Sequence, residues 1–180
     1  MEKRFRLAQH GKQLWTRETA RTIRGELVAE LEQLKAGDVL VIDAKGVEVF
    51  DYSFANEFFG RTILTAPREF PGRFVLVENL SEYPHENLEK ALEGMNLAML
   101  ERARKGLHLI GKVHPADETT LKAIVTQGAP TTAATLSDKL KVGLNAMNER
   151  LTKLVGLGVL RRERATSSAG REQYEYTVPA

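Results

Sequence analysis

Residues 39–55 read VLVIDAKGVEVFDYSFA. Val39-Leu40-Val41-Ile42 is an unbroken apolar run, the pattern of a strand buried on both faces of a sheet, and Asp43 ends it. Phe54, Phe58, Ile63 and Leu64 then fit a helix that starts near Ser53, with the Ser53 hydroxyl expected to cap it. A buried strand followed by a loop and a helix predicts the crossover unit of an α/β fold.

The flanking residues extend the pattern in both directions. Upstream, Phe5 and Leu7 alternate with polar residues as in an opening strand or hairpin. Ala20, Ile23, Leu27, Leu31 and Leu34 recur at spacings of three and four, which predicts an amphipathic helix with Thr16 as its N-cap and Gly37 near its stop. Downstream, Phe74-Val75-Leu76-Val77 predicts a second buried strand, and Pro67 and Pro71 close the preceding helix. A helix is expected from Pro84 to Arg104, with Leu88, Leu92, Met95 and Met99 on one side, followed by a last strand at Leu107 to Ile110. The expected fold class is α/β, an N-terminal sheet with packed helices.

Beyond His114 the punctuation changes. A helix is expected from Asp117 to Gln127, a second from Thr131 or Thr132 through Leu140, and a third in which Leu144, Met147, Leu151 and Leu154 form the core stripe. Val159-Leu160 opens a strand, residues 165–170 form a polar turn, and Tyr174 to Val178 returns as a strand. Two domains are therefore expected, at residues 1–113 and 116–180.

The composition is that of a folded globular protein, with 42% hydrophobic and 28% charged residues. Absence of cysteine excludes disulfides, thiolate zinc sites and a cysteine nucleophile. The formal net charge is +2, and the excess lies in residues 115–180, because residues 1–114 are balanced. No apolar run approaches the roughly 20 residues that span a bilayer, and Met1 to Trp15 lacks the apolar core of a secretory signal. A cytoplasmic protein is expected.

Residues 41–55 resemble the strand, loop and helix start of STAS-like domains, the group related to anti-sigma factor antagonists; Gly11, Leu14, Thr16 and Arg17 match the pattern before the first helix of that branch. The resemblance covers roughly residues 1–113. It implies a domain for sensing, partner binding or dimerisation. In the antagonists a phosphorylatable serine follows an aspartate; here Tyr52 follows Asp51, and Ser53 comes next. Tyr52 and Ser53 are thus the candidates for a phosphorylation or partner switch.

The stretch from Ala134 to Arg164 is similar to the winged helix-turn-helix core of MarR-like regulators, through Leu136, Arg150-Leu151, Leu154 and the run Leu157-Gly158-Val159-Leu160-Arg161-Arg162. That resemblance implies double-stranded DNA as partner and a homodimer. With the core stripe turned inward, Asn145, Asn148, Glu149, Thr152 and Lys153 of the third helix are candidates for DNA contact. Arg161, Arg162, Arg164 and Arg171 flank the hairpin tip and suit phosphates or a minor groove.

Other chemistry is sparse. There is no Gly-x-Gly-x-x-Gly after a strand and no Gly-Lys-Ser/Thr, so no nucleotide cofactor is expected. His10, His85, His108 and His114 form no pair at helical spacing, and no metal site is expected. Asp43 and Asp51 are read as capping or solvated carboxylates rather than a catalytic pair. The reading is a DNA-binding transcriptional regulator that is not an enzyme. The alternative is a partner-switching regulator whose winged helix docks protein, and a small-molecule-binding or catalytic α/β domain ranks third.

Overall fold

The computed structural model describes residues 1–179; Ala180, the last residue of the expected 116–180 segment, lies outside the described residues. Strands β1 (Glu2–Arg6), β3 (Val39–Asp43), β5 (Phe74–Glu78), β6 (Ala98–Ala103) and β7 (Gly106–Gly111) form one sheet in the order β1-β3-β5-β6-β7. The first four are parallel, and β7 returns antiparallel to β6. Helices α1 (Arg17–Gln33) and α4 (Glu82–Gly94) and the α2–α3 segment (Tyr52–Ala55 and Arg61–Glu69, joined by a π-helical turn at Asn56–Gly60) supply the crossovers. The chain is an α/β protein. Two short strands, β2 (Gln13–Leu14) and β4 (Val49–Phe50), pair parallel outside the main sheet.

Each main strand divides its side chains between two cores. Leu40, Ile42, Val75, Val77, Met99 and Ile110 meet α1, the α2–α3 segment and α4 on one face. Phe50, Phe54, Phe58 and Phe59 are fully buried there, and Phe58 lies edge-on to Phe59 with ring centroids 4.8 Å apart. The π turn adds a residue to one helical turn, a shift in register that accompanies burial of both Phe58 and Phe59.

Val39, Val41, Phe74, Leu76, Leu100 and Leu109 face the other way, and the C-terminal part of the chain covers them. That part consists of α5 (Pro115–Gln127), β8 (Thr131–Thr132), α6 (Ala133–Leu140), α7 (Leu144–Gly156), β9 (Arg161–Thr166) and β10 (Glu172–Thr177). β10 lies between β8 and β9 in a three-stranded antiparallel sheet. Leu121, Ile124, Met147, Leu151, Leu154 and Tyr176 share a single hydrophobic cluster with the strand residues.

Four local expectations are corrected. The helix from Pro84 stops at Gly94, and Ala98–Ala103 is a strand. Its Ala-Met-Leu-Glu-Arg composition favours helix, but Asn96 at φ 55 turns the chain and pairing with β5 and β7 overrides propensity. Ser53 is not the cap of α2: Asp51 is, its carboxylate accepting the Phe54 N–H at 2.7 Å. α5 begins at Pro115 with His114 as N-cap, which places Asp117 inside the first turn. Leu144 is 49% exposed rather than part of the core stripe, because it occupies the first turn of α7, ahead of the buried Met147. Thr16 caps α1 as expected, and Thr132, one of the two threonines expected to start the second of the later helices, caps α6; each accepts an N–H three residues on.

Candidate nucleic-acid interface

The junction between α6 and α7 is set by local chemistry. Lys141, the residue after α6, has a φ of 54° and turns the chain sharply. The Val142 N–H donates to the Ser137 carbonyl at 3.1 Å, and the Ser137 hydroxyl donates to the Val142 carbonyl at 2.5 Å. Three residues after α6, α7 begins. Met147, Leu151 and Leu154 bury its inner face, and Asn145, Asn148, Glu149 and Thr152 are all exposed. The fold thus gathers four of the helix candidates on one solvent-facing side.

Lys153 is also exposed but already has a partner: its Nζ lies 2.5 Å from Asp117 Oδ2. Asp117 is buried in the first turn of α5, so this pair ties α7 to α5. Removing Lys153 would leave a buried carboxylate unpaired.

The strand period of two sorts the hairpin arginines. Arg162 pairs with Tyr176 and Arg164 with Tyr174 across the β9–β10 ladder, so these four side chains share one face of the hairpin. Arg162 and Arg164 are exposed, and the Arg162 guanidinium stacks 4.7 Å from the Tyr174 ring centroid. Arg161 belongs to the opposite face. It donates to the Gly37 carbonyl at 2.6 Å and lies 5.5 Å from the Phe74 ring centroid. Arg161 therefore anchors the hairpin base to the N-terminal sheet. Arg171 is exposed beside the tip, where the Ser167 N–H donates to its carbonyl and its own N–H donates to the Ser167 hydroxyl.

Leu144 is the residue of this surface that pattern reading misses. A leucine in phase with a core stripe looks buried, and only its position at the helix start exposes it.

The candidates for a phosphorylation or partner switch lie elsewhere. Tyr52 opens α2 and is 43% exposed, and half-buried Ser53 follows it. Asp43 accepts from the Asn79 amide at 2.7 Å and from the Lys45 N–H at 3.0 Å. With Asp51 capping α2, both carboxylates have structural hydrogen-bonding roles.

Sequence-distant groups also converge: His85, Glu101 and His108 each offer a ligand atom, all within 4.8 Å of one another. The Glu101 carboxylate, hydrogen-bonded to His108, holds that imidazole above its ordinary pKa against the opposing effect of burial.

No protein-family model matches the chain, and no curated protein matches it. Among solved structures it is similar to one from Methanosarcina mazei Go1 described as a possible transcriptional regulator. The identity is 21%, the overlap covers 37% of this chain and 56% of that one, and the TM-score is 0.34. The chain thus spans little more than half the length of that structure, and the functional reading rests on its own residues. Among the described residues no helix is long and apolar enough to cross a membrane.

Proposed function

We propose that the protein is a DNA-binding transcriptional regulator, with a STAS-like domain at residues 1–113 and a winged helix-turn-helix domain at 116–180. The observation that supports this most directly is the pairing of an open helix face with an open basic hairpin. Asn145, Asn148, Glu149 and Thr152 line the free side of α7, and Arg162, Arg164 and Arg171 stand exposed on the hairpin. Asparagine reads adenine through paired hydrogen bonds, and glutamate accepts from the cytosine amino group. The three arginines supply phosphate affinity without sequence information. Leu144, at the start of α7, adds an apolar group suited to a thymine methyl.

In this proposal Lys153 and Arg161 are structural rather than DNA contacts, since each is already held by another part of the chain. The STAS-like half provides dimerisation or partner recognition, with Tyr52 and Ser53 at its switch position. A homodimer would read an inverted repeat with half-sites about 10 base pairs, or a multiple, apart. The work is binding rather than bond making.

The test is fluorescence polarisation with a genomic DNA library across a salt series. Sequence-selective binding with a steep salt slope is expected. The combined replacement Arg162→Ala, Arg164→Ala and Arg171→Ala should weaken binding to all sequences and flatten the slope by about one unit per lost phosphate contact. Asn148→Ala should instead relax preference at one base position by about 1–3 kcal/mol. Weak binding that is equal for all sequences would favour the partner-switching alternative, in which this surface docks protein.

A further inference from the structure

We propose that His85, Glu101 and His108 form a binding site for one divalent transition-metal ion of the zinc type, a site separate from the DNA-binding surface and independent of that reading. Glu101 Oε2 lies 2.8 Å from His108 Nε2 and 3.1 Å from His85 Nε2. The three groups come from regular elements: His85 from the first turn of α4, Glu101 from β6 and His108 from β7. Glu101 and His108 are directly opposite in the antiparallel β6–β7 pairing, which fixes their side chains on one face. Met99 and Ile110, each two residues away on the same strands, pack in the core that contains α4, so this is the face that His85 overlies.

The spacing fits an ion. Zinc sits roughly 2.0–2.1 Å from imidazole nitrogen and about 2.0–2.2 Å from carboxylate oxygen, which puts tetrahedral ligand atoms ~3.3 Å apart. The two glutamate–histidine separations are a few tenths of an ångström shorter and all three ligand atoms lie within 4.8 Å of one another, so small side-chain rotations would admit the ion without moving the strands.

Ligand chemistry narrows the choice. Two imidazoles and one carboxylate match the borderline preferences of zinc, whereas calcium and magnesium select oxygen ligands. With no cysteine in the chain, the soft thiolate sites that draw copper(I) are excluded.

Charge and access agree with this assignment. Glu101 is 4% exposed, and a buried carboxylate requires a positive partner. A divalent ion held by the three groups would supply that charge. The histidine side chains are 37% and 34% exposed. An ion can therefore enter, and three protein ligands leave a position open to water. The rival account is a purely electrostatic trio in which the histidines neutralise Glu101 with no metal.

Zn²⁺ titration of the untagged, chelator-treated full chain against a chromophoric chelator separates the two. One equivalent should bind and raise the thermal midpoint. His85→Ala, a change at the exposed start of α4, should lower the affinity at least tenfold with an unchanged circular dichroism spectrum. His10→Ala and His114→Ala should leave it intact. X-ray absorption on Zn²⁺-loaded wild-type protein needs no variant and should show scattering from two imidazoles. Failure of the wild-type chain to take up Zn²⁺, equal affinity in the wild type and His85→Ala, or fewer than two imidazoles around the ion would overturn the proposal.

Discussion

The two faces of the five-stranded sheet are buried by different means. One is covered by helices that connect its own strands, and its core holds an aromatic cluster, with Phe54, Phe58 and Phe59 packed against Phe50 and Phe5. The other is covered by the segment after His114, and its core is mainly aliphatic. Coverage of the second face is also incomplete. Two residues beyond Leu76 and Leu100 on the same face stand Glu78 and Arg102, which join Arg4 and Glu2 in a network of ion pairs. A sheet face can thus end in charge where helices stop, provided each buried carboxylate is paired. Glu78, 5% exposed, meets both arginines.

The first way to test the contrast is through the aromatic face. Phe58→Ala removes a fully buried ring that touches the core from the middle of the π turn, and should cost about 3–5 kcal/mol in denaturant unfolding. A loss below about 1 kcal/mol would mean that this face does not depend on its aromatic cluster.

Next comes the coupling between the faces. Leu121→Ala in α5 empties a fully buried position of the shared cluster and should cost about 2–5 kcal/mol. Trp15, the single tryptophan, lies in the N-terminal part and is 46% exposed. Its fluorescence transition should move together with the circular dichroism transition. Two separated transitions would show that the faces unfold independently. The same cluster argues that a fragment beginning at residue 115 would expose Leu121, Ile124 and Leu151 where the sheet had covered them.

A smaller effect discriminates between neighbours at the α2 start. Asp51→Ala should cost about 1 kcal/mol because it removes the cap, whereas Ser53→Ala should stay within about 0.5 kcal/mol. The reverse order, measured by thermal unfolding, would restore Ser53 as the cap.

The smallest effect belongs to the charged margin of the second face. The Arg102 hydrogen bond, with further help from the charges of Arg102 and Arg4, holds the Glu2 carboxyl below its ordinary pKa despite some burial. Glu2 therefore adds stability above its unfolded pKa of about 4.3, and that contribution disappears as pH falls through the lower folded value. Glu2→Gln should be slightly less stable than wild type near neutrality and equal to it in strong acid. A constant difference at all pH values would remove this pairing from the acid limb of stability.

Much of the candidate surface was legible from periodicity. Met147, Leu151 and Leu154 define the inner side of α7, so the outer positions Asn145, Asn148, Glu149 and Thr152 follow from helical geometry. The exceptions have physical causes. Lys153 and Arg161 look like free basic groups in sequence, but their partners, Asp117 and the Gly37 carbonyl, are 36 and 124 residues away. The His85, Glu101 and His108 trio spans a helix and two strands, one of which reads as helix by composition, so spacing rules cannot assemble it.

The sequence by itself determined that Val39–Ile42 and Phe74–Val77 are buried on both sides, that helices separate them, and that three helices and a hairpin follow. These are local properties, set by apolar periodicity, caps and turns. The tertiary structure decided which segment covers which face. An unbroken apolar strand presents apolar groups to both sides and carries no mark distinguishing them. Only packing in three dimensions could place the C-terminal helices on Leu76 and Leu100, turn Arg161 inward while Arg162 faces solvent, and bring two distant histidines to one buried glutamate.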